Sequence, residues 1–234
     1  MIRRRGAMLL AALALAGCTV PVATTPPSGE LLVLGPSGGF SATSLPPDWI
    51  GIGPAGDAPV DVALVDGVLA LRAASGPSAP PAPVTLARRV QGPLLTTPYL
   101  RWGWWQRQGS PAMPLRLVVG FHGGDPARPS YTAEAPRWLG SELPPFDRVI
   151  ELVWSNGGAM PPGTGGGMVR QHAVRTGIVG AGGWQLETID LAAVYRSLWP
   201  DDDAGRARFM FIGVRLEPSV RPTTAAVAEI MLGR

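Results

Sequence analysis

Lysine is absent from this chain of 234 residues, cysteine occurs once and histidine twice. All 20 basic residues are therefore arginine, which excludes a Schiff-base lysine and the lysine of a phosphate loop. With Cys18 alone, no intrachain disulfide can form. His122 and His172 are too few for a histidine-rich zinc centre. Charged residues make up only 16% of the chain and hydrophobic ones 46%, so a sizeable core can be buried. The 31 glycines and 26 prolines approach a disordered composition, but the apolar content argues against disorder. Many short strands joined by many turns satisfy both.

Long apolar runs are missing too. Arg3-Arg4-Arg5 is followed by an apolar stretch from Ala7 to Ala16 and then Gly17-Cys18. A basic start, a short apolar segment and small residues make a secretory signal. The segment is too short for a permanent span, which needs about 20 residues. Leu15-Ala16-Gly17-Cys18 resembles the bacterial lipobox, which implies that Cys18 is lipidated and becomes the first mature residue. The expectation is a leader over 1–17, a membrane anchor at Cys18, and a place in the cell envelope. Thr19 rather than aspartate follows the cysteine, which by the same resemblance favours the outer membrane, facing the periplasm. Three of the 20 arginines precede Cys18 and no acid does, leaving 17 basic against 17 acidic residues. No basic excess remains for nucleic acid.

Residues 18–30 are rich in Pro, Thr and Ser and read as a flexible tether. From 31 to 234 the pattern is β. Val60–Val65 and Val68–Ala73 flank Asp66-Gly67, a two-residue hairpin signal, because a type I′ turn needs positive φ at both central positions. Further strands are expected at Leu31–Leu34, Val84–Val90, Tyr99–Trp105, Leu115–His122, Arg148–Trp154, Met168–Arg175, Trp184–Thr188, Arg208–Glu217 and Ala226–Leu232. About ten strands with frequent turns predict an all-β, jelly-roll-like sandwich. One helix is expected near 190–199: Asp190 can cap it, Leu191, Val194, Tyr195 and Leu198 share a face, and Pro200 stops it.

Several chemical motifs fall short of their context. Gly35-Pro36-Ser37-Gly38-Gly39 matches the nucleophile-elbow pattern, but GFSATSLPPDW after it cannot readily form the helix an elbow needs. Gly163-Thr164-Gly165-Gly166-Gly167 resembles a phosphate loop in composition only. Asp201-Asp202-Asp203 lacks the spacing of a calcium loop and reads as a solvated acidic turn. No metal site and no cofactor is expected. Glu151, with Asp125, Asp147 or Glu187 as partner, leaves a carboxylate-dependent glycan hydrolase or lyase open, although no spacing selects a pair.

Tryptophan, present eight times, carries the strongest signal. In Tyr99–Trp105, alternation puts Leu100, Trp102 and Trp104 on one face and Tyr99, Arg101, Gly103 and Trp105 on the other. In Leu115–His122, Leu115, Leu117, Val119 and Phe121 oppose Arg116 and His122. A planar cation beside an aromatic suits stacking and hydrogen bonding to a sugar. The expected ligand-binding residues are Arg101, Trp105, Arg116 and His122. The competing reading packs Trp105 under a loop and pairs Arg101 with an acid.

The order of short motifs resembles the domain-of-unknown-function 3047 family of secreted or lipid-anchored bacterial domains. The pieces are Phe40-Ser41, Leu45-Pro46-Pro47-Asp48-Trp49, the hairpin ending VLALRAASGPS, Leu100-Arg101-Trp102-Gly103-Trp104, Leu152-Val153-Trp154-Ser155-Asn156, and Gly183-Trp184 through Asp190 to Tyr195-Arg196. The resemblance implies a jelly-roll-like sandwich similar in shape to carbohydrate-binding domains, and no catalytic residue. Where relatives carry acids before the strand at 115–122 and after the penultimate strand, this chain has Gly109-Ser110-Pro111-Ala112 and Glu217-Pro218-Ser219-Val220-Arg221, which implies that any cation site held there is lost. The expected function is a non-catalytic envelope module binding a glycan or other polar component. The alternatives are the carboxylate hydrolase and a structural lipoprotein that contacts another envelope protein.

Overall fold

The computed structural model describes residues 22–35, 48–53, 60–77, 82–108, 113–128, 143–155, 167–177, 182–219 and 221–234. The leader, Cys18, residues 36–39 of the elbow-like motif and residues 163–166 of the glycine run lie outside them. Thirteen strands are described: β1 (Ala23–Thr24), β2 (Leu31–Leu34), β3 (Trp49–Ile52), β4 (Val60–Val65), β5 (Val68–Ser75), β6 (Val84–Pro93), β7 (Tyr99–Gln106), β8 (Leu115–His122), β9 (Arg148–Ser155), β10 (Val169–Thr176), β11 (Gly183–Asp190), β12 (Arg208–Leu216) and β13 (Thr223–Gly233). One sheet has seven strands in the order β1-β6-β12-β8-β9-β10, with β3 also on β6; the other has six in the order β11-β7-β13-β5-β4, with β2 also on β13. The chain is an all-β sandwich, as its turn density and alternation predict.

The alternation explains the layers. Leu115, Leu117, Val119 and Phe121 of β8, Ile150, Leu152 and Trp154 of β9, and Ile212, Val214 and Leu216 of β12 point inward from the seven-stranded sheet. Leu100, Trp102 and Trp104 of β7 meet them from the six-stranded sheet. Trp102 and Trp104 pack edge to face with ring centroids 5.3 Å apart, and Trp154 lies 5.8 Å from Trp104. The helix α1 (Leu191–Leu198) begins where its cap predicts, with the Asp190 carboxylate accepting from Ala193 N at 2.9 Å. Its Leu191, Val194, Tyr195 and Leu198 are buried in the same core.

The hairpin signal is also borne out. Asp66 and Gly67 have φ of 46° and 81°, the left-handed pair of a two-residue turn between β4 and β5. Two elements depart from the sequence reading. β3 pairs with β6 although Trp49-Ile50-Gly51-Ile52 is bracketed by proline and glycine. The expected tether is not free throughout: Ala23 and Thr24 pair in parallel with Val90 and Gln91 and are docked on the sandwich.

Candidate functional site

The four residues expected to share a site do not. β7 and β8 belong to different sheets, and the main core lies between them. Arg101 and Trp105 therefore lie on the outer face of the six-stranded sheet, while Arg116 and His122 lie on the outer face of the other. Within β8, Arg116 and His122 are themselves six positions apart, about 20 Å along a strand. Alternation assigns the faces within each strand but does not decide which sheet the strand joins.

On the seven-stranded sheet, Arg116 joins a tight charged quartet. Glu151 of β9 is buried. It accepts from Arg116 Nη1 at 2.7 Å and Gln171 Nε2 at 2.9 Å, and Arg215 Nη1 lies 3.3 Å away. Glu217 accepts from Arg215 Nε at 2.8 Å and faces Arg116 Nε at 3.5 Å. Two arginines thus neutralise two glutamates.

His122 sits at the other end of β8, beside a second buried cluster. Its Nδ1 lies 3.2 Å from Asp147 Oδ2, and that oxygen accepts from Gly123 N at 2.8 Å. Burial pushes the Asp147 carboxyl above the usual carboxylate range, against that backbone hydrogen bond and the neighbouring His122 and Arg148 charges. Arg148 donates Nε and Nη2 to Asp202 at 2.7 and 2.8 Å and lies 2.9 Å from Asp125. The buried Tyr195 hydroxyl donates to Asp202 at 2.8 Å, and burial, ahead of Asp202, raises its pKa. Asp202 is therefore no solvated turn residue, contrary to the sequence reading. The place among Asp125 and Asp202 that a cation would fill is held by the Arg148 guanidinium, and among the described residues no acid–histidine group is arranged for a metal.

The carboxylates weighed for hydrolysis are dispersed. Glu187 faces inward at the β10–β11 edge, where it accepts from Arg175 Nε at 2.6 Å and Trp104 Nε1 at 3.3 Å. Arg175 in turn lies over Trp154, 5.3 Å from its ring centroid. Glu151 is on an outer face and Asp125 and Asp147 are at a strand end, so none faces Glu187 across a groove. His172 is half-buried on β10, and burial lowers its pKa.

The outer face of the six-stranded sheet is different in kind. Register places Trp184, Trp105, Ala226, Arg72 and Asp61 in one row across five strands. Leu186, Gly103 and Ala228 form the next row on β11, β7 and β13, and Ala70 pairs with Ala63 on β5 and β4. Because the floor is glycine and alanine, large side chains can lie flat on it: a Cβ on Gly103 would come 3.2 Å from the Trp184 ring and 3.3 Å from Leu186. The Asp66-Gly67 turn curls over part of this face. Trp105 Nε1 donates to Asp66 Oδ2 at 2.7 Å and Trp184 Nε1 to the Val65 carbonyl at 2.9 Å. Trp105 is accordingly half-buried under a turn, as the competing reading of that residue has it, and contributes to a small second core with Val65, Ala70, Ala226 and Ala228. Arg101 does not follow that reading. Its side chain is exposed and has no hydrogen bond or ion pair among the described residues. It is flanked on β7 by Gly103 and the 39%-exposed Tyr99, and diagonally by the 77%-exposed Leu186 on β11. Trp184 and Leu186 carry no sequence signal of their own; only the register with β7 brings them to Arg101.

No family model matches this chain, and no curated protein does. Among solved structures it is similar to the K3 cleaved adhesin domain of Lys-gingipain from Porphyromonas gingivalis, at 12% identity over 88% of this chain and 99% of that one, with a TM-score of 0.38. It is similar to TmCBM61, solved with β-1,4-galactotriose, at 13% identity over 80% and 88%, with a TM-score of 0.33. It is also similar to the catalytic domain of Humicola grisea Cel12A, solved with a thio-cellotetraose, at 10% identity over 88% and 92%, with a TM-score of 0.39. At these identities and TM-scores the three say nothing of a ligand or activity in this chain.

Proposed function

We propose that this chain is a non-catalytic binding module of the bacterial cell envelope, anchored by a lipid on Cys18, and that its ligand is a glycan held on the outer face of the six-stranded sheet. The observation that carries this reading is the unpartnered, exposed Arg101 beside Tyr99, Leu186 and the Trp105–Trp184 pair. A sugar needs a flat apolar surface for its ring carbons and donors for its hydroxyls, and this strip offers both. On the opposite sheet the planar polar groups of the quartet are already joined to one another. The hydrolase reading gains nothing from the structure, since Glu151 and Glu187 are each tied to arginine. The motif order that resembles the domain-of-unknown-function 3047 family runs through β7, β9, β11 and α1, and we propose membership on that ground.

The test is a glycan-array and envelope-polysaccharide screen of the full chain in detergent. The native chain is expected to retain a polysaccharide, and Arg101→Ala to weaken retention about tenfold, the scale of one charge-assisted hydrogen bond. Retention of no glycan, or equal retention by Arg101→Ala, refutes the reading. The anchor is tested separately. Cys18→Ala is expected to leave the membrane fraction and to lose the mass of the lipid; unchanged fractionation and mass would contradict it. Cofractionation of the native chain with inner-membrane markers would count against the outer-membrane placement.

A further inference from the structure

A cavity of about 540 Å³ opens where β1, the end of β6 and the start of β12 meet, and neither the glycan reading nor the core uses it. Thr24, Thr25, Gln91, Thr96, Arg208 and Arg234 supply its polar lining, and no acid is among the residues around it. Arg72, Arg88, Arg116, Arg148, Arg175 and Arg215 each pair with a carboxylate. Arg208 and Arg234 do not: the side chain of neither has an ion pair or hydrogen bond among the described residues. The Thr25 hydroxyl is buried and has no hydrogen-bond partner among the described residues. It stands over Gly92, where a Cβ would come within 3.0 Å of it, so the glycine makes room for this hydroxyl. Two uncompensated arginines and a glutamine amide line one open space, with the idle Thr25 hydroxyl buried at its wall. Guanidinium forks match the oxygens of a phosphate, and two of them match its double charge better than the single charge of a carboxylate.

We propose that this cavity binds a phosphate group. Its place in the chain points to where that phosphate comes from. Thr24 is six residues after Cys18, a stretch that spans at most about 20 Å when extended. With Cys18 lipidated, an inference that rests on the anchor proposed above, the cavity is held within that distance of the membrane surface, and the phosphate it meets is that of a lipid headgroup. A free phosphate presents the same oxygens.

The experiment is calorimetric titration of the full chain in neutral-detergent micelles at low ionic strength. One arm uses inorganic phosphate and the other dihexanoyl phosphatidic acid. Both are expected to bind, with affinity falling as salt is added. Arg208→Gln and Arg234→Gln are each expected to weaken binding about tenfold. The double variant should bind neither probe, and Arg196→Gln, on the exposed face of α1, should bind as the native chain does. Arg234 is exposed at the end of the resolved chain, so its variant keeps the test valid should Arg208→Gln disturb β12. Binding of inorganic phosphate alone overturns the headgroup assignment. Binding of neither probe, or undiminished binding by the double variant, overturns the site. Cys18→Ala should still bind inorganic phosphate in micelles, and loss of glycan retention should not follow from Arg208→Gln. Failure of the anchor or of the glycan reading is thereby distinguishable from failure of this one.

Discussion

Trp102→Ala is expected to destabilise the fold by about 3–5 kcal/mol, the range for removing a large aromatic from a close-packed core. Trp102 is 2% exposed. Its ring packs edge-on against Trp104, and Trp104 against Trp154 of the opposite sheet. The cavity would thus open at the seam between the two layers, where neighbours on both sheets are held by their own strand ladders and cannot collapse inward. Its indole N–H has no acceptor among the described residues, so Trp102→Phe removes an unsatisfied donor along with part of the ring and should cost clearly less than alanine. Urea unfolding of both variants measures this. A loss below about 1 kcal/mol for Trp102→Ala would place the tryptophan outside the core.

Arg148→Met is expected to cost a comparable amount, about 3–5 kcal/mol, by leaving buried carboxylates without their counter-charge. Arg148 holds Asp202 through two hydrogen bonds and lies 2.9 Å from Asp125; the side chains of these two acids are 4% and 12% exposed. Methionine fills much of the volume but supplies no charge. The ionised carboxylates are then uncompensated and protonation relieves the penalty, so the deficit relative to the native chain should shrink in acid. Arg148→Met with Asp202→Asn should recover part of the loss at neutral pH. A deficit that is small, or that does not change with pH, would mean that the cluster carries no buried charge.

What the sequence makes legible follows the range of the interaction that decides it. The faces of β7 and β8 depend on neighbouring residues, and alternation alone sorts Trp102 and Trp104 inward and Arg101 and Arg116 outward. The Asp66-Gly67 turn is legible for the same reason. Which sheet a strand joins is decided by partners far along the chain, and this is why Arg101 and Arg116 looked like neighbours. The cover over Trp105 comes from Asp66, 39 residues away, and the partner of Asp202 is Arg148, 54 residues away. Neither has a local signature. β1 and β3 were missed because two to four residues among prolines and glycines give no period, and only docking against β6 makes them strands.

The claim that the six-stranded sheet carries the ligand is tested most directly by titrating the strongest polysaccharide from the screen onto variants of each face. Melting curves establish beforehand that each variant is folded. Arg101→Ala and Trp184→Ala are expected to lose about tenfold or more in affinity, while Arg116→Gln, on the opposite sheet, binds as the native chain does. Loss of binding in Arg116→Gln with binding intact in Arg101→Ala and Trp184→Ala would contradict the account and place the ligand over the Glu151 quartet.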